Sequence, residues 1–196
     1  LEKTSSQKKI KDYLNKERLF QIYDEFWQND GYPSKENREE YRKRGLDVLE
    51  KFWNNYENNP PQEILYLEKK FSFKIGGDII KGAIDRIDKL PDGSLEIVDY
   101  KTGQTKNKLE FSEKRQLILY QLFIEEFLNN KVSTLSYYYL ESGKKLSFSA
   151  SAKDITKLKL EIQSEIAAIK KREFPPKPSL KCKYCDFNTI CEFRQH

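Results

Sequence analysis

The sequence predicts an α/β fold, and three observations predict it. Apolar residues recur at three- and four-residue steps through the first sixty positions, the period of helices. Between positions 63 and 100 the pattern changes to alternating and continuous apolar runs separated by turn signals, the mark of strands. A helical period and further apolar runs then follow, so helices and strands share one core. Composition supports that core: of 196 residues, 37% are hydrophobic and 13% aromatic, against 34% charged. Disordered chains are poor in such aromatics. Lys and Arg exceed Asp and Glu by 36 to 31, a net charge of +5, which permits a polyanionic partner. No run approaches the roughly 20 apolar residues of a membrane span, and no basic–apolar–small pattern in the first residues suggests a signal peptide.

Leu14, Leu19, Ile22, Tyr23, Phe26 and Trp27 outline a first helix, which Gly31, Tyr32 and Pro33 break. Ser34 reads as an N-cap, with Asn37 where Glu or Gln would complete a capping box. Tyr41, Leu46, Leu49, Phe52, Trp53 and Tyr56 form the core side of a second helix, ended by Asn58, Asn59, Pro60 and Pro61. Ile64, Tyr66, Phe71 and Phe73 predict a strand that alternates sides. Gly76-Gly77-Asp78 is a turn, Ile79 through Ile87 a second strand, and Pro91-Asp92-Gly93 a strong turn signal. Leu95 through Tyr100 is apolar on both faces, as a central strand should be. Residues 113–128 return to helical spacing with Leu117, Tyr120, Leu122, Phe123 and Phe127. Val132 to Leu140 and Leu146 to Phe148 are two further strands, residues 152–171 a last helix, and Pro175, Pro176 and Pro178 a stiff connector into a cysteine-bearing tail. The expected organisation is a helical part over 1–62, a catalytic α/β core over 63–150, and a helix with a Cys-rich tail over 151–196.

The segment Gly82-Ala83-Ile84-Asp85-Arg86-Ile87-Asp88 and the later Asp99-Tyr100-Lys101 carry the chemistry. Residues two apart on a strand share a face, about 6.6 Å apart, so Asp99 and Lys101 stand side by side. The Pro91-Asp92-Gly93 turn folds Asp85 back toward them. Two converging carboxylates suit a hard, oxygen-seeking ion, Mg²⁺ or Mn²⁺. A neighbouring lysine can orient a water or stabilise charge developing on a phosphate. Asp99 follows Leu95, Glu96, Ile97 and Val98 in an apolar strand, where an acid is costly unless it is paired or metal-bound. By alternation Arg86 and Asp88 point away from Asp85, which predicts a structural ion pair. Glu68, at the end of the first strand, is a further candidate as an outer carboxylate.

Gly-x-Ile-Asp-Arg-Ile-Asp, then Asp-Tyr-Lys-Thr-Gly, then Gln116-Leu117-Ile118-Leu119-Tyr120 closely resembles the RecB-like branch of the PD-(D/E)XK nucleases. Within it, the match is to the nuclease domain fused behind UvrD/Rep-type helicases and found in AddB-like proteins. The likeness runs from about Gly31 to the C-terminus and includes Glu173-Phe174-Pro175-Pro176. It implies a restriction-endonuclease-like mixed sheet flanked by helices. It implies Asp85 and Asp99 as metal ligands, with the Tyr100 carbonyl as another, and Lys101 as the catalytic lysine. It also implies that Gln116 and Tyr120, four apart and so on one helix face, flank the site and hold DNA; plain core packing is the alternative for Tyr120.

Three cysteines, Cys182, Cys185 and Cys191, crowd the tail. That clustering favours a metal over a disulfide framework and a reducing, cytoplasmic compartment. The resemblance implies three ligands of a [4Fe–4S] cluster whose fourth cysteine is absent here; zinc with His196 is the alternative. The family's metal-ligating His, in a His-x-x-Leu-Glu context, would precede Leu1-Glu2. The chain opens at Leu1 and has no Met, and it reads as a fragment of a longer enzyme, with weak or no nuclease activity alone. The basic residues Lys69, Lys70, Lys74, Lys81, Lys106, Lys108, Lys114 and Arg115 offer sequence-independent, salt-sensitive contacts to a DNA backbone. The expected function is therefore metal-dependent DNA cleavage, exonucleolytic rather than endonucleolytic, beside a helicase domain or subunit and away from membranes. The rival readings are a non-catalytic DNA clamp and a zinc-type interaction module.

Overall fold

Asn15 opens the first helix, α1 (Lys16–Phe26), by accepting the Arg18 N–H on its side chain at 2.8 Å. That bond satisfies one of the free donors of the first turn. The computed structural model describes residues 15–61 and 63–195, so Leu14, the Leu1-Glu2 pair and His196 lie outside the described residues. Ser34 caps α2 (Lys35–Asn58) as its position predicts, accepting the Asn37 N–H at 3.1 Å. The two helices fold together through Tyr23, whose hydroxyl donates to the Arg42 carbonyl at 3.0 Å. Gly45 makes room for that ring, since a Cβ there would collide with the Tyr23 hydroxyl. Trp27, Tyr32 and Tyr41 stack onward from it. Phe26 and Tyr41 depart from expectation: both stand exposed. Tyr23 makes the helix–helix contact and Trp27, one turn on, stacks on Tyr32 of the connector, so Phe26 falls on the flank of that stripe.

The sheet has five strands in the order β1 (Glu63–Ile75), β2 (Asp78–Lys89), β3 (Leu95–Lys101), β4 (Val132–Tyr139) and β5 (Lys144–Phe148). All neighbours are antiparallel except β3 and β4, which are parallel. A parallel step needs a crossover, and α3 (Phe111–Phe127) supplies it. The sheet is therefore mixed, with β3 at its centre, as its continuous apolar character predicts. Gly76 and Gly77 both take positive φ in the β1–β2 turn, where a Cβ would be strained. Asp92 accepts both the amide and the hydroxyl of Ser94 in the next turn.

α3 buries Leu117, Ile118, Leu122 and Ile124 against Ile84, Ile87, Ile97 and Leu135 of the sheet. Burying a side chain of this size contributes about 1.5–3 kcal/mol, so this layer dominates the stability of the fold. α4 (Ala152–Lys170) covers α3 from outside, burying Leu158 and tied by Arg115 to Glu161 and Glu165. α2 takes the opposite face, where the Phe52 ring meets Tyr100 and Tyr138 edge-on. Helices thus flank the sheet on both sides.

The ladders shift register between Ile64 and Tyr66 of β1 and between Leu95 and Glu96 of β3. Glu68 sits in β1 with φ 48°, a left-handed conformation that costs a non-glycine residue on the order of 1 kcal/mol or more. Beyond it the core positions of β1 are Phe71, Phe73 and Ile75. Phe71 lies flat over its cross-strand partner Gly82: a Cβ on Gly82 would stand 2.5 Å from the ring. The first glycine of the sequence motif is therefore a packing requirement.

The tail after α4 forms a 3₁₀ turn at Leu180–Tyr184, capped by Ser179. The Cys182 thiol is held below its ordinary pKa, because backbone N–H groups of Gln195 and Ser179 point at the sulfur. Tyr184, Phe187 and Ile190 of the same tail stand exposed.

Candidate active site

The β2–β3 ladder pairs Ile87 with Ile97 and Arg86 with Val98. One step further sets Asp85 opposite Asp99. Asp85 Oδ2 accepts the Tyr100 N–H at 2.9 Å, a bond that fixes this carboxylate at the mouth of the strand pair. Asp99 is 2% exposed. Its Oδ2 lies 2.6 Å from Lys101 Nζ, off a hydrogen-bonding direction, so this buried oxygen has an ionic neighbour but no directed bond. Burial pushes the Asp99 carboxyl above its ordinary pKa. The Lys101 ammonium opposes that rise, and the Asp85 charge adds to it. The sequence reading that Asp85, Asp99 and Lys101 meet on one face agrees with this geometry.

Lys101 reaches across to α3, where its ammonium donates to Gln116 Oε1 at 3.0 Å. Gln116 Nε2 in turn donates to the Tyr120 hydroxyl at 2.8 Å. Tyr120 packs its ring edge-on against Phe71, while its hydroxyl joins the polar chain. Burial raises the Tyr120 pKa; the Gln116 bond lowers it, and the charges of Asp99, Asp85 and Glu68 raise it again. Glu68 is thus within electrostatic reach of the Tyr120 hydroxyl, from its left-handed position in β1. Tyr137, which the sequence reading did not single out, lies beneath Lys101 with its ring centroid 4.9 Å from Nζ. Only the parallel register of β3 and β4 brings it there.

Tyr100 turns to the other face. Its hydroxyl accepts from Arg86 at 2.6 Å, and Arg86 pairs with Asp88 at 3.0 Å. The predicted ion pair thus exists within β2, buried behind the site, and the Arg86–Tyr100 bond joins the two strands that carry Asp85 and Asp99. Desolvation raises the Asp88 pKa, with Arg86 opposing. Glu96 joins this layer through Lys145 at 2.8 Å and Ser136.

The basic residues divide. Lys70, Lys74 and Lys81 stand exposed on the β1–β2 hairpin, and Lys108 precedes α3. Lys106 pairs with Glu113, Arg115 is held by two glutamates, and the ammonium groups of Lys69 and Lys114 rest over Tyr66 and Phe148. Arg115 is better described as the anchor between α3 and α4 than as a free cation.

A hard divalent ion suits two carboxylates of which one has a buried, undirected oxygen, so the residues present fit Mg²⁺ or Mn²⁺. Among the described residues, no three His, Cys, Asp or Glu side chains are grouped to hold a metal. The aspartate pair would thus need a carbonyl and water to complete a shell. Cys182, Cys185 and Cys191 are free thiols, and they do not form such a group.

The chain is similar to known proteins in sequence and in fold. A model of the PD-(D/E)XK nuclease superfamily matches residues 1–192. The chain belongs to that superfamily. One subunit of an ATP-dependent helicase/deoxyribonuclease from Streptococcus uberis is 37% identical over 92 residues, which cover 46% of this chain and 8% of that protein. The chain matches only a small part of that relative's length. The solved structure of a candidate exonuclease from Eubacterium rectale superposes with a TM-score of 0.51 at 13% identity, covering 88% of this chain and 67% of the other. Fold similarity at that identity supports the nuclease-like architecture alone. The solved structure of SSO0001 gives a TM-score of 0.44 at 18% identity, over 81% of this chain and 79% of that one. Among the described residues of this nuclease-superfamily chain, no helix is long and apolar enough to cross a membrane.

Proposed function

We propose that the chain is a Mg²⁺- or Mn²⁺-dependent deoxyribonuclease module, acting on single strands or duplex ends without sequence preference and more as an exonuclease than an endonuclease. The observation that carries the proposal is the convergence of Asp85, Asp99 and Lys101, with Asp99 buried and its Oδ2 lacking a directed bond. Asp85, Asp99 and the Tyr100 carbonyl would hold the ion, which when bound supplies Lewis-acid polarisation of the phosphate and a lowered pKa for water. The protein's own groups do the rest. Lys101 orients the attacking water or neutralises charge gathering on the phosphate oxygens. Gln116 holds the ammonium in place, and Tyr120 holds Gln116. Lys70, Lys74 and Lys81 add backbone contacts to DNA.

The likeness to part of a helicase/deoxyribonuclease supports a helicase domain or subunit as partner and a role in DNA repair or recombination, in the cytoplasm. A [4Fe–4S] cluster or zinc on Cys182, Cys185 and Cys191 is a secondary proposal, checked by iron, sulfide and zinc assays on anaerobically purified protein. The rival, a DNA clamp without catalysis, predicts binding with no product. The deciding experiment is Mn²⁺-dependent cleavage of labelled single-stranded DNA by wild type, Asp99→Ala and Lys101→Ala. Loss of cleavage in both variants, with unchanged circular dichroism, is expected. Wild-type rates in either would overturn the assignment.

A further inference from the structure

The Lys101 ammonium has three sides defined by this chain. Asp99 Oδ2 lies 2.6 Å away, Gln116 Oε1 accepts at 3.0 Å, and the Tyr137 ring centroid is 4.9 Å off. The fourth side opens outward, and the side chain is 37% exposed. We propose that Tyr137 is the positioning residue for Lys101: its ring face forms the floor of a cage that aims the ammonium at the reacting phosphate. This rests on the reading above that Lys101 acts in cleavage.

Four observations support the proposal. Tyr137 is in register with Asp99 on the parallel neighbour strand, so the two side chains rise from one face of the sheet, with their strands about 4.8 Å apart. The ring is 3% exposed, so its negative face is shielded from water, where attraction for a cation is strongest. Its hydroxyl donates to the Glu113 carbonyl at 2.6 Å, which fixes the ring and occupies its polar end. Glu113 lies one turn before Gln116 on α3, so the same residue links the floor of the cage to its wall. A lysine stem is flexible, and three converging partners are what restrict it to one place.

The hydroxyl and the ring make separable contributions, which gives the test. Tyr137→Phe keeps the ring and loses only the bond to α3. Replacing that Phe by 3,5-difluoro- and then pentafluorophenylalanine keeps the shape while draining the negative face. Single-turnover cleavage of labelled single-stranded DNA with Mn²⁺ is measured for each, in wild-type and Lys101→Ala backgrounds. Tyr137→Phe, which loses the bond that fixes the ring, sets the reference rate for the fluorinated series. Pentafluoro substitution should lower the cleavage rate by about tenfold, with the difluoro form between, and leave KM for DNA unchanged. In the Lys101→Ala background, fluorination should have no further effect on residual cleavage. A residue that only filled space would show no dependence on fluorination, and that result would overturn the proposal. A change in KM alone, or equal falls with and without Lys101, would do the same. If Lys101→Ala itself cleaves normally, the fault lies in the active-site reading rather than in the cage.

Discussion

Gly82→Ala should destabilise the protein although it adds a single methyl to a strand. The backbone at Gly82 does not need φ above zero, so alanine pays no conformational penalty and gains roughly 0.4–1 kcal/mol from a less flexible unfolded chain. Against that gain, the new Cβ would stand 2.5 Å from Phe71 Cζ and 2.8 Å from Cε1. Ordinary contact requires about 1 Å more. Phe71 has little room to retreat: its ring stacks on Phe123 at 5.0 Å and abuts Phe73 at 5.8 Å and Tyr120 at 5.6 Å. Overpacking of this kind costs typically 1–3 kcal/mol, so the net loss is about 1–2 kcal/mol. For a domain this size the melting temperature should fall by roughly 2–8 °C. Phe71 also touches Tyr120, so cleavage should drop as Gln116 loses its support. Differential scanning calorimetry of Gly82→Ala, Phe71→Leu and the double variant is the assay. The double variant should lose less than the sum of the singles, because the smaller side chain relieves the clash. An unchanged or raised melting temperature in Gly82→Ala would refute the packing argument.

Asp99→Asn should raise the melting temperature of metal-free protein while abolishing cleavage. The folded carboxyl is raised above its ordinary pKa by burial, so its contribution to stability is full below the unfolded value and is lost as pH rises through the folded one. The variant's stability should accordingly vary less with pH just above the ordinary carboxylate range, and an identical pH dependence would count against the buried charge. Arg86→Leu should cost about 3–5 kcal/mol by leaving Asp88 buried without its guanidinium, seen as a lower urea midpoint. Arg86→Leu with Asp88→Leu should recover most of that loss, and failure to recover would mean the pair is not the source. DNA affinity should fall steeply between low and physiological salt, and Lys70→Ala with Lys74→Ala should make that slope shallower; strong discrimination between unrelated oligonucleotides at one salt would contradict backbone binding.

Local signals made much of the fold legible. Ser34 before a helical period, Asp92 in a Pro-Asp-Gly turn and the continuous apolar run before Asp99 each fix a nearby structure through short-range bonds or burial. The Asp85, Asp99 and Lys101 face was legible because strand alternation and a tight turn suffice to place it. Long-range pairings were not. Glu96 lies on the central strand, yet it is buried because Lys145 and Ser136, some forty residues on, meet it there. Tyr137 reaches Lys101 only through a parallel register set by the α3 crossover. Arg115 looked available to DNA until α4 brought Glu161 and Glu165 to it. Glu68 carries no signal of its left-handed backbone, because glutamate is not a residue that marks such a turn. Phe26 and Tyr41 fit a helical face by spacing, but spacing does not say which stripe wins the contact.

Binding of Mn²⁺, followed by the electron paramagnetic resonance of the free ion, tests the central claim most directly. Asp85 and Asp99 are held to make one site for a hard ion, with Lys101 beside it acting on substrate rather than on metal. Wild type should bind Mn²⁺ saturably at that site, Asp85→Asn and Asp99→Asn should each lose most of that binding, and Lys101→Ala should keep it. Equal Mn²⁺ affinity in wild type and both aspartate variants would contradict the account.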